Sequence, residues 1–270
     1  MSRGILRARP LLPRTKPEGA AVSAAQRPKQ RILLLDTLRG LALLNMLLYH
    51  FLYDLVSFNG VDLPWYHDTP GYIWEQYICW SFILLAGISL HFSRHPVRHG
   101  LLTFGCGAVV SLVTAVATPG DAVHFGVLTL LGSAMLLASA LRPVLRRIPA
   151  AAGCIVSGLL FVLTKAVPSG GFGVLNFMHW PLPDACYTVY WLYPLGFPTP
   201  LFASSDYFPL LPWFFLFLTG FFLWEWGGKA LAGTRAAGFR IPAVTPLGQH
   251  TLWIYMVHQP LLYGLSMLLL

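Results

Sequence analysis

Seven apolar runs, each about 20 residues long, follow one another along the chain and constrain its fold more than any other feature. A helix of about 20 apolar residues spans the hydrocarbon core of a bilayer. Hydrophobic residues make up 56% of the 270 residues and charged residues only 10%, whereas soluble domains carry about 25% charged residues. The pattern predicts an all-α polytopic membrane protein with about seven transmembrane helices. These runs lie near residues 33–56, 72–92, 101–118, 123–141, 150–167, 207–226 and 248–269.

The distribution of Lys and Arg predicts how these helices cross the membrane, since cytoplasmic loops are enriched in both residues. If the N-terminus is cytoplasmic, the inside loops hold the basic residues Arg94, Arg98, Arg142, Arg146, Arg147, Lys229, Arg235 and Arg240. The outside loops, 57–71, 119–122 and 168–206, then contain no Lys or Arg and carry only Asp residues as charges. The sequence therefore predicts an N-in, C-out topology.

Residues 1–31 are rich in Arg, Pro and Ala, with Glu18 as their only acid. We predict that they form a disordered basic cytoplasmic tail ahead of a membrane domain at 32–270, although an organellar transit peptide has a similar composition. The net charge of +8 lies in this tail and in short loops, which is typical of topology signals. Membrane lipids are therefore the expected partners, and nucleic acid is not.

Four ionisable side chains interrupt the first apolar run, LLLDTLRGLALLNMLLYHFLYDL, at 33–55. Asp36 and Arg39 lie near its start, and His50 and Asp54 lie near its end. At 100° per residue they fall within about 60° of one another on a helical wheel. A charge at mid-bilayer costs at least ~2.5 kcal/mol on insertion scales. The polar stripe is therefore expected to face the bundle interior or a water-filled cavity, as a site or a pathway.

Structural roles for the same residues stay open at this point. Asp36 and Arg39 could pair near the membrane interface, and His50 could hydrogen-bond to a neighbouring helix. The i,i+4 spacing of His50 and Asp54 suits a general base and the carboxylate that orients it. A substrate-binding role for Asp54 is the alternative.

The predicted outer loop 168–206 is dense in Trp, Tyr, Phe and Pro. Loops of this length are usually either functional or disordered, and amphipathic aromatic rings favour the membrane interface. We predict that the loop folds back on the bundle as a lid. An aromatic belt that only anchors the loop is the alternative.

Five segments that occur in order carry a resemblance to known proteins. They are LDTLRGLALLNMLLYHFLYDL, FILLAGISLHFSR, HFGVLTLLGSAMLL, YPLGFPTPLFASSDYFPLLPWFFLFLTGFFL and LGQHTLWIYMVHQPLL. As an ordered set they resemble the heparan-alpha-glucosaminide N-acetyltransferase catalytic-domain family in its short bacterial form. The first segment also resembles the opening helix of the integral-membrane acyltransferase-3 O-acylases. The resemblance implies an integral protein of the bacterial inner (plasma) membrane.

The resemblance also implies an activity, which is transmembrane transfer of an acyl group, in the first place acetyl. The donor substrate would be cytoplasmic acetyl-CoA or another acyl-CoA, and the acceptor an amine or hydroxyl of an extracytoplasmic sugar or glycan. By its position before the GIS motif, His67 matches the active histidine of the family, whereas the acyltransferase-3 pattern points to His50. Either histidine could then act as the general base or as a transient acyl acceptor.

Further candidate residues surround these histidines in the expected topology. Arg39, beside Asp36, and the inside loops offer positive charge to the phosphates of a nucleotide carrier. No set of His, Cys, Asp or Glu has metal-ligand spacing, so no metal site is predicted, and self-association into a homo-oligomer stays open. The candidates for substrate or donor binding are Asp36, Arg39, Asp68, Glu75, His124, Asp206 and His258.

Three other classes of protein compete with an acyltransferase. A small-molecule or proton-coupled transporter also keeps charged residues in its helices, but the inverted repeats typical of many transporters are not evident here. A haem protein needs histidine pairs deep in helices, whereas these histidines lie near helix ends. A purely structural subunit does not explain the aligned polar face, so acyl transfer is the leading interpretation.

Overall fold

A computed structural model describes residues 31–174 and 178–269, so the predicted tail lies outside the described residues except for Arg31. Helices dominate the fold, and a β-hairpin of Gly171–Val174 (β1) and Met178–Pro181 (β2) is a small departure from the all-α prediction. The helices are α1 (Leu33–Ser57), α2 (Pro64–His67), α3 (Thr69–Ser89), α4 (Pro96–Ala117), α5 (Val127–Ala140), α6 (Arg142–Leu145), α7 (Ala150–Thr164), α8 (Leu210–Leu223), α9 (Lys229–Ala232), α10 (Thr245–Gln249) and α11 (Thr251–Leu269).

Among the described residues, five helical segments are long and apolar enough to cross a membrane: Leu33–Ser57, Pro96–Ala117, Ala150–Ser169, Leu210–Ala232 and Thr251–Leu269. Their outward surfaces carry exposed apolar side chains, among them Leu112 and Leu159. Such surfaces are stable against lipid, while large exposed apolar patches are rare on soluble monomers. The prediction of a helical integral membrane protein is therefore confirmed.

The other two predicted spans, near 72–92 and 123–141, form α3 and α5, which are not both long and apolar enough to be counted with these five. α5 has 14 residues, which at 1.5 Å per residue cover about 21 Å, less than the ~30 Å of a hydrocarbon core. α3 has 21 residues, but Glu75 and Gln76 and its Trp and Tyr residues lower its hydropathy. A count of seven transmembrane helices stays a prediction.

The largest apolar cluster surrounds α8 and contains Phe217, Phe221 and Phe222, which are at most 3% exposed. Glycines allow α3 and α8 to approach closely: a Cβ at Gly220 would lie 2.2 Å from the carbonyl oxygen of Leu84. Small residues at helix crossings are typical of membrane bundles, where association depends on close packing rather than on hydrophobic burial.

α1 lies beside α11 and runs in the same direction, while α3 runs in the opposite direction. His50 lies against His258 of α11, and the amide of Asn59, just after α1, reaches Ser266. Near the start of α3, Trp74 donates its indole N–H to Asn45 of α1. These directions define two ends of the bundle, which we call the His50 end and the Asp36 end after residues of α1. Which end faces the cytoplasm stays a prediction.

The predicted outer loop lies at the His50 end between α7 and α8. It contains the hairpin and short 3₁₀ helices at Val167–Ser169, Asp184–Tyr187 and Tyr190–Leu195. The hydroxyl of Tyr207 donates to the carbonyl of Tyr193 at 2.5 Å, and the Tyr193 ring stacks on Phe202 at 4.9 Å. The aromatic residues of the loop therefore pack on one another. A function as a lid stays a prediction.

Candidate functional site

The polar stripe of α1 separates into two groups, one at each end of the bundle. At the Asp36 end, Arg39 donates through Nη1 to Asp36 Oδ1 at 2.7 Å and through Nη2 to the Ser89 hydroxyl of α3. Asp36 is 3% exposed, so burial of its charge is compensated by this ion pair. The ion pair between Asp36 and Arg39, which the sequence analysis considered as a structural role for both residues, is present.

At the His50 end, two imidazoles from α1 and α11 meet. The ring centroids of His50 and His258 lie 4.9 Å apart in an edge-to-face arrangement. Nδ1 of His258 lies 2.5 Å from the Tyr255 carbonyl oxygen. Because a carbonyl can only accept, Nδ1 carries the proton and Nε2 of a neutral His258 keeps its lone pair. α11 thereby holds one imidazole in the tautomer that can accept a proton at Nε2.

Asp54 is fully buried beside this pair, and its hydrogen-bond partner comes from α11. The Gln259 amide donates to Asp54 Oδ1 at 2.7 Å. No hydrogen bond joins Asp54 to His50 in the described part of the chain, so the expected i,i+4 orienting contact is replaced by this interhelical one. The sequence analysis did not identify Gln259, although its position next to His258 in VHQP could have suggested it.

Four buried polar atoms around these residues have no hydrogen-bond partner within 31–174 and 178–269: Asp54 Oδ2, Asn59 Oδ1, His258 Nε2 and Gln259 Oε1. All four are acceptors in the observed arrangement. Leaving a buried polar atom without a partner costs about 1–3 kcal/mol, and such groups in a native fold call for an explanation. A ligand or water that donates hydrogen bonds would satisfy them. We call His50, Asp54, His258 and Gln259 the imidazole cluster.

A cavity of 410 Å³ opens at the same end of the bundle, and we call it the carboxylate cavity. Its charged lining residues are Glu75 of α3, Lys165 just after α7 and Asp206 ahead of α8. The ammonium of Lys165 donates to Gln76 Oε1 at 2.7 Å and lies 3.9 Å from the centre of the Trp213 ring. Lys165 is thus fixed between a hydrogen-bond acceptor and an aromatic face that attracts cations. The sequence analysis did not identify Lys165 as a candidate residue.

Asp206 is held in this cavity by the loop that carries it. Its Oδ2 accepts a hydrogen bond from the backbone N–H of Val127, the first residue of α5, at 3.1 Å. The backbone N–H of Phe208 donates to the Phe125 carbonyl at 2.9 Å. Burial raises the pKa of Asp206 to about 6, although the bond from Val127 lowers it, and the nearby charge of Glu75 raises it further. A carboxyl with this pKa changes charge close to neutral pH.

We expect Asp206 to make the protein less stable as the pH rises from about 4 to about 6. Because the pKa of Asp206 is raised from 3.8 to about 6 in the folded protein, the unfolded chain ionises first and folding loses stability across that window. Asp206→Asn keeps an acceptor oxygen for Val127 and removes the charge. Its thermal midpoint in detergent, relative to wild type, should therefore rise between pH 4 and pH 7. A difference that does not vary with pH would contradict this assignment. Titratable groups near Asp206 include Glu75, Cys79, Lys165 and Tyr255.

Tyr255 of α11 interacts with one residue of each group. Its ring centroid is 4.9 Å from that of His258, and its hydroxyl is close enough to Asp206 to interact with it electrostatically. The two groups of polar residues are therefore neighbours at one end of the bundle.

The remaining predicted residues lie outside both groups. His67 and Asp68, at the junction of α2 and α3, have exposed side chains. No hydrogen bond or ion pair in the described ranges joins them to His50, Asp54 or Glu75. His124 lines a separate cavity of 250 Å³ with Asp121 and Ser204, and its backbone N–H donates to the Ser204 hydroxyl.

Among the residues described, no group of three or more His, Cys, Asp or Glu residues could hold a metal ion.

Comparison with known proteins identifies the family. The model of the family described as heparan-alpha-glucosaminide N-acetyltransferase, catalytic, matches residues 31–260. No curated protein and no solved structure matches the chain. The matched region extends from α1 into α11 and contains every candidate residue named above. The chain therefore belongs to the heparan-alpha-glucosaminide N-acetyltransferase catalytic-domain family, a family of membrane acetyltransferases.

Proposed function

We propose that this protein transfers an acetyl group from acetyl-CoA to an amine or hydroxyl of a glycan on the opposite side of the membrane. The observation that carries the proposal is the imidazole cluster, in which two histidines and three unsatisfied acceptors lie at one end of a bundle of this family. Family membership supports acetyl transfer and gives no support to a transporter. The basic loops at the other end support a donor site there.

The donor's phosphates would be held at the Asp36 end. The exposed residues Arg94, Arg146 and Arg147 lie in loops at this end, and the exposed Arg98 lies in the first turn of α4. His91 at this end lies near Arg142 and 3.3 Å from Glu225. Arg binds phosphate through paired, charge-assisted hydrogen bonds. Arg39 and His50 are 11 residues apart, or about 16 Å along the helix. A pantetheine arm that spans this distance would bring the thioester to the imidazole cluster while the phosphates stay outside.

At the His50 end, a neutral imidazole would act as the general base. The acceptor nitrogen or oxygen attacks the thioester carbonyl carbon while its proton passes to the imidazole, and the carbon–sulfur bond then breaks to release the CoA thiolate, which takes up a proton. General bases of this kind contribute about 10²–10⁴-fold to a rate. We assign the base to His50, next to His258, and Asp54 would stabilise the protonated pair electrostatically. His67, on the exposed α2–α3 junction, is the alternative base.

The topology signals support the placement of the N-terminus and the donor site on the cytoplasmic side. By resemblance to the short bacterial form, the membrane would be the bacterial inner membrane. The aromatic loop between α7 and α8 would then cover the acceptor side as a lid.

The proposal is tested by reconstituting the purified full chain in liposomes with radiolabelled acetyl-CoA on one side and glucosamine on the other. We expect labelled N-acetylglucosamine to form on the side opposite to the donor. Protein-free liposomes supply the background rate. A folded protein that neither transfers nor hydrolyses the acetyl group, with glucosamine or with a panel of other amino sugars, would contradict the proposal.

A further inference from the structure

The carboxylate cavity lies near the ends of three helices, at the His50 end of the bundle. Glu75 belongs to the second turn of α3, Lys165 directly follows α7, and Asp206 precedes α8. The cavity volume of 410 Å³ lies within the range of about 300–1,000 Å³ that is typical of ligand pockets. The segment Ala150–Ser169 is long and apolar enough to cross a membrane, and Lys165 lies near its end. The cavity is therefore expected at the level of the lipid headgroups.

Charged groups of both signs in this cavity have unused hydrogen-bonding capacity. The Lys165 ammonium has three N–H donors, of which one is donated to Gln76, and the Trp213 ring faces the same ammonium. At least one of its N–H groups therefore stays available to an anion. Within the described ranges, the carboxylate of Glu75 makes no hydrogen bond and no ion pair within 4.0 Å, and that of Asp206 accepts one bond, from the backbone of α5. Both carboxylates can therefore accept further bonds from a cation.

We propose that the carboxylate cavity binds the headgroup of a membrane phospholipid that carries both an ammonium and a phosphate, as phosphatidylethanolamine does. The lipid ammonium donates to Glu75 and Asp206, and the lipid phosphate accepts from Lys165. Charge-assisted hydrogen bonds of both kinds are stronger than bonds between neutral groups. The inference does not depend on acetyl transfer, because it rests on the charges of the cavity and on the surface beside it.

The surface beside the cavity fits the acyl chains of such a lipid. Trp80, one turn further along α3 than Gln76, donates its indole N–H to the Gln76 side chain at 3.2 Å. The Trp80 ring lies 4.9 Å from the ring of Phe161 in α7, so the two helices meet below the cavity. Trp80, Leu159 and Val162 are exposed apolar residues of these helices. Lipid chains cover such surfaces in a bilayer, and Trp is enriched where chains meet headgroups.

The charges also predict which lipids the cavity distinguishes. Phosphatidylglycerol has a phosphate but no ammonium, so it can engage Lys165 but leaves Glu75 and Asp206 without a partner. The quaternary ammonium of phosphatidylcholine has no N–H donor, so it cannot form hydrogen bonds with the two carboxylates. We therefore expect phosphatidylethanolamine to bind more tightly than either of the other two lipids.

Native mass spectrometry of the detergent-purified full chain tests the inference. The protein is titrated with phosphatidylethanolamine, phosphatidylglycerol and phosphatidylcholine that have the same acyl chains. We expect wild type to bind phosphatidylethanolamine at least about tenfold more tightly than the other two, because a hydrogen bond to a charged group is worth about a factor of ten or more. This comparison needs no variant, so it stays decisive if a substitution prevents folding.

Substitutions in the cavity test which groups bind the headgroup. Glu75→Gln, Asp206→Asn and Lys165→Met should each weaken phosphatidylethanolamine binding by about tenfold, since each removes one charged partner. Asp62→Asn and Lys229→Met are matched controls, because both side chains are exposed and line neither cavity. The controls should leave the affinity for phosphatidylethanolamine unchanged.

Glycerophosphoethanolamine, the same headgroup without acyl chains, separates a lipid from a soluble ligand. We expect it to bind more weakly than the intact lipid, because it makes no contact with the surface around Trp80. Equal binding of the two would identify a soluble zwitterion as the occupant and overturn the lipid assignment.

Two further results would overturn the inference. One is equal affinity of wild type for the three lipids, which would show that the exposed apolar surface binds lipid without regard to the headgroup. The other is an affinity for phosphatidylethanolamine that none of the three cavity substitutions alters, which would place the bound headgroup elsewhere on the protein.

Discussion

Replacing His50 by alanine is expected to lower the rate of acetyl transfer at least 100-fold, within the about 10²–10⁴-fold that a general base contributes. The imidazole of His50 lies against His258, and alanine offers no group that accepts a proton. The effect should fall on kcat rather than on the affinity for the acceptor, because a general base acts in the chemical step and not in binding. Initial rates measured at varied glucosamine concentration separate the two parameters.

Two histidine variants serve as comparisons for this result. His250→Ala removes an exposed imidazole that lies just before α11, at the Asp36 end of the bundle. This variant should retain the wild-type rate. His67→Ala tests the alternative base directly. If the His67→Ala protein is inactive and the His50→Ala protein is active, the general base is His67 at the exposed α2–α3 junction. This result would contradict our assignment.

Replacing Gly248 by alanine is expected to destabilise the protein by about 1–3 kcal/mol, as overpacking of a tight contact does. A Cβ at Gly248 would lie 1.8 Å from the Asp36 carbonyl oxygen and 2.7 Å from the Gly40 nitrogen. Both neighbours are backbone atoms of α1, so no side chain can rotate away and α10 must separate from α1. The midpoint of thermal unfolding in detergent should fall accordingly.

The matched control for this substitution is Gly264→Ala. Gly264 lies inside α11 and a Cβ there would meet no atom within 4 Å, so the change should be neutral or stabilise the helix by up to about 1 kcal/mol. A melting temperature of Gly248→Ala that equals that of Gly264→Ala would show that α1 and α10 tolerate a wider separation. The close approach would then not be required for stability.

Much of the architecture could be predicted from local pattern. The apolar runs identified α1, α4, α7, α8 and α11 as candidate spans, because insertion in lipid depends on the composition of a single segment. Length and hydropathy identified α3 and α5 less clearly as spans. Glu75 and Gln76 of α3 line a polar cavity and make this helix less apolar. α5 has only 14 residues.

The candidate site was predicted only in part. The stripe of α1 identified His50 and Asp54 as members of one face, since helical periodicity places residues on a face without reference to neighbours. It could not identify Gln259 as the partner of Asp54, because that bond joins residues 205 positions apart in the chain. Lys165 and Trp213 were likewise brought to Glu75 and Asp206 by the packing of α7 and α8 on α3.

The amino-acid sequence is enough to identify this chain as a helical membrane protein and to assign its family. Both properties are carried by local hydrophobicity and by ordered motifs, which do not depend on how the helices pack. The tertiary structure was needed to show that Arg39 is engaged by Ser89, that His258 joins His50, and that three separate elements place Glu75, Lys165 and Asp206 around one cavity. These are contacts between residues far apart in the chain, and helix packing alone sets their distances.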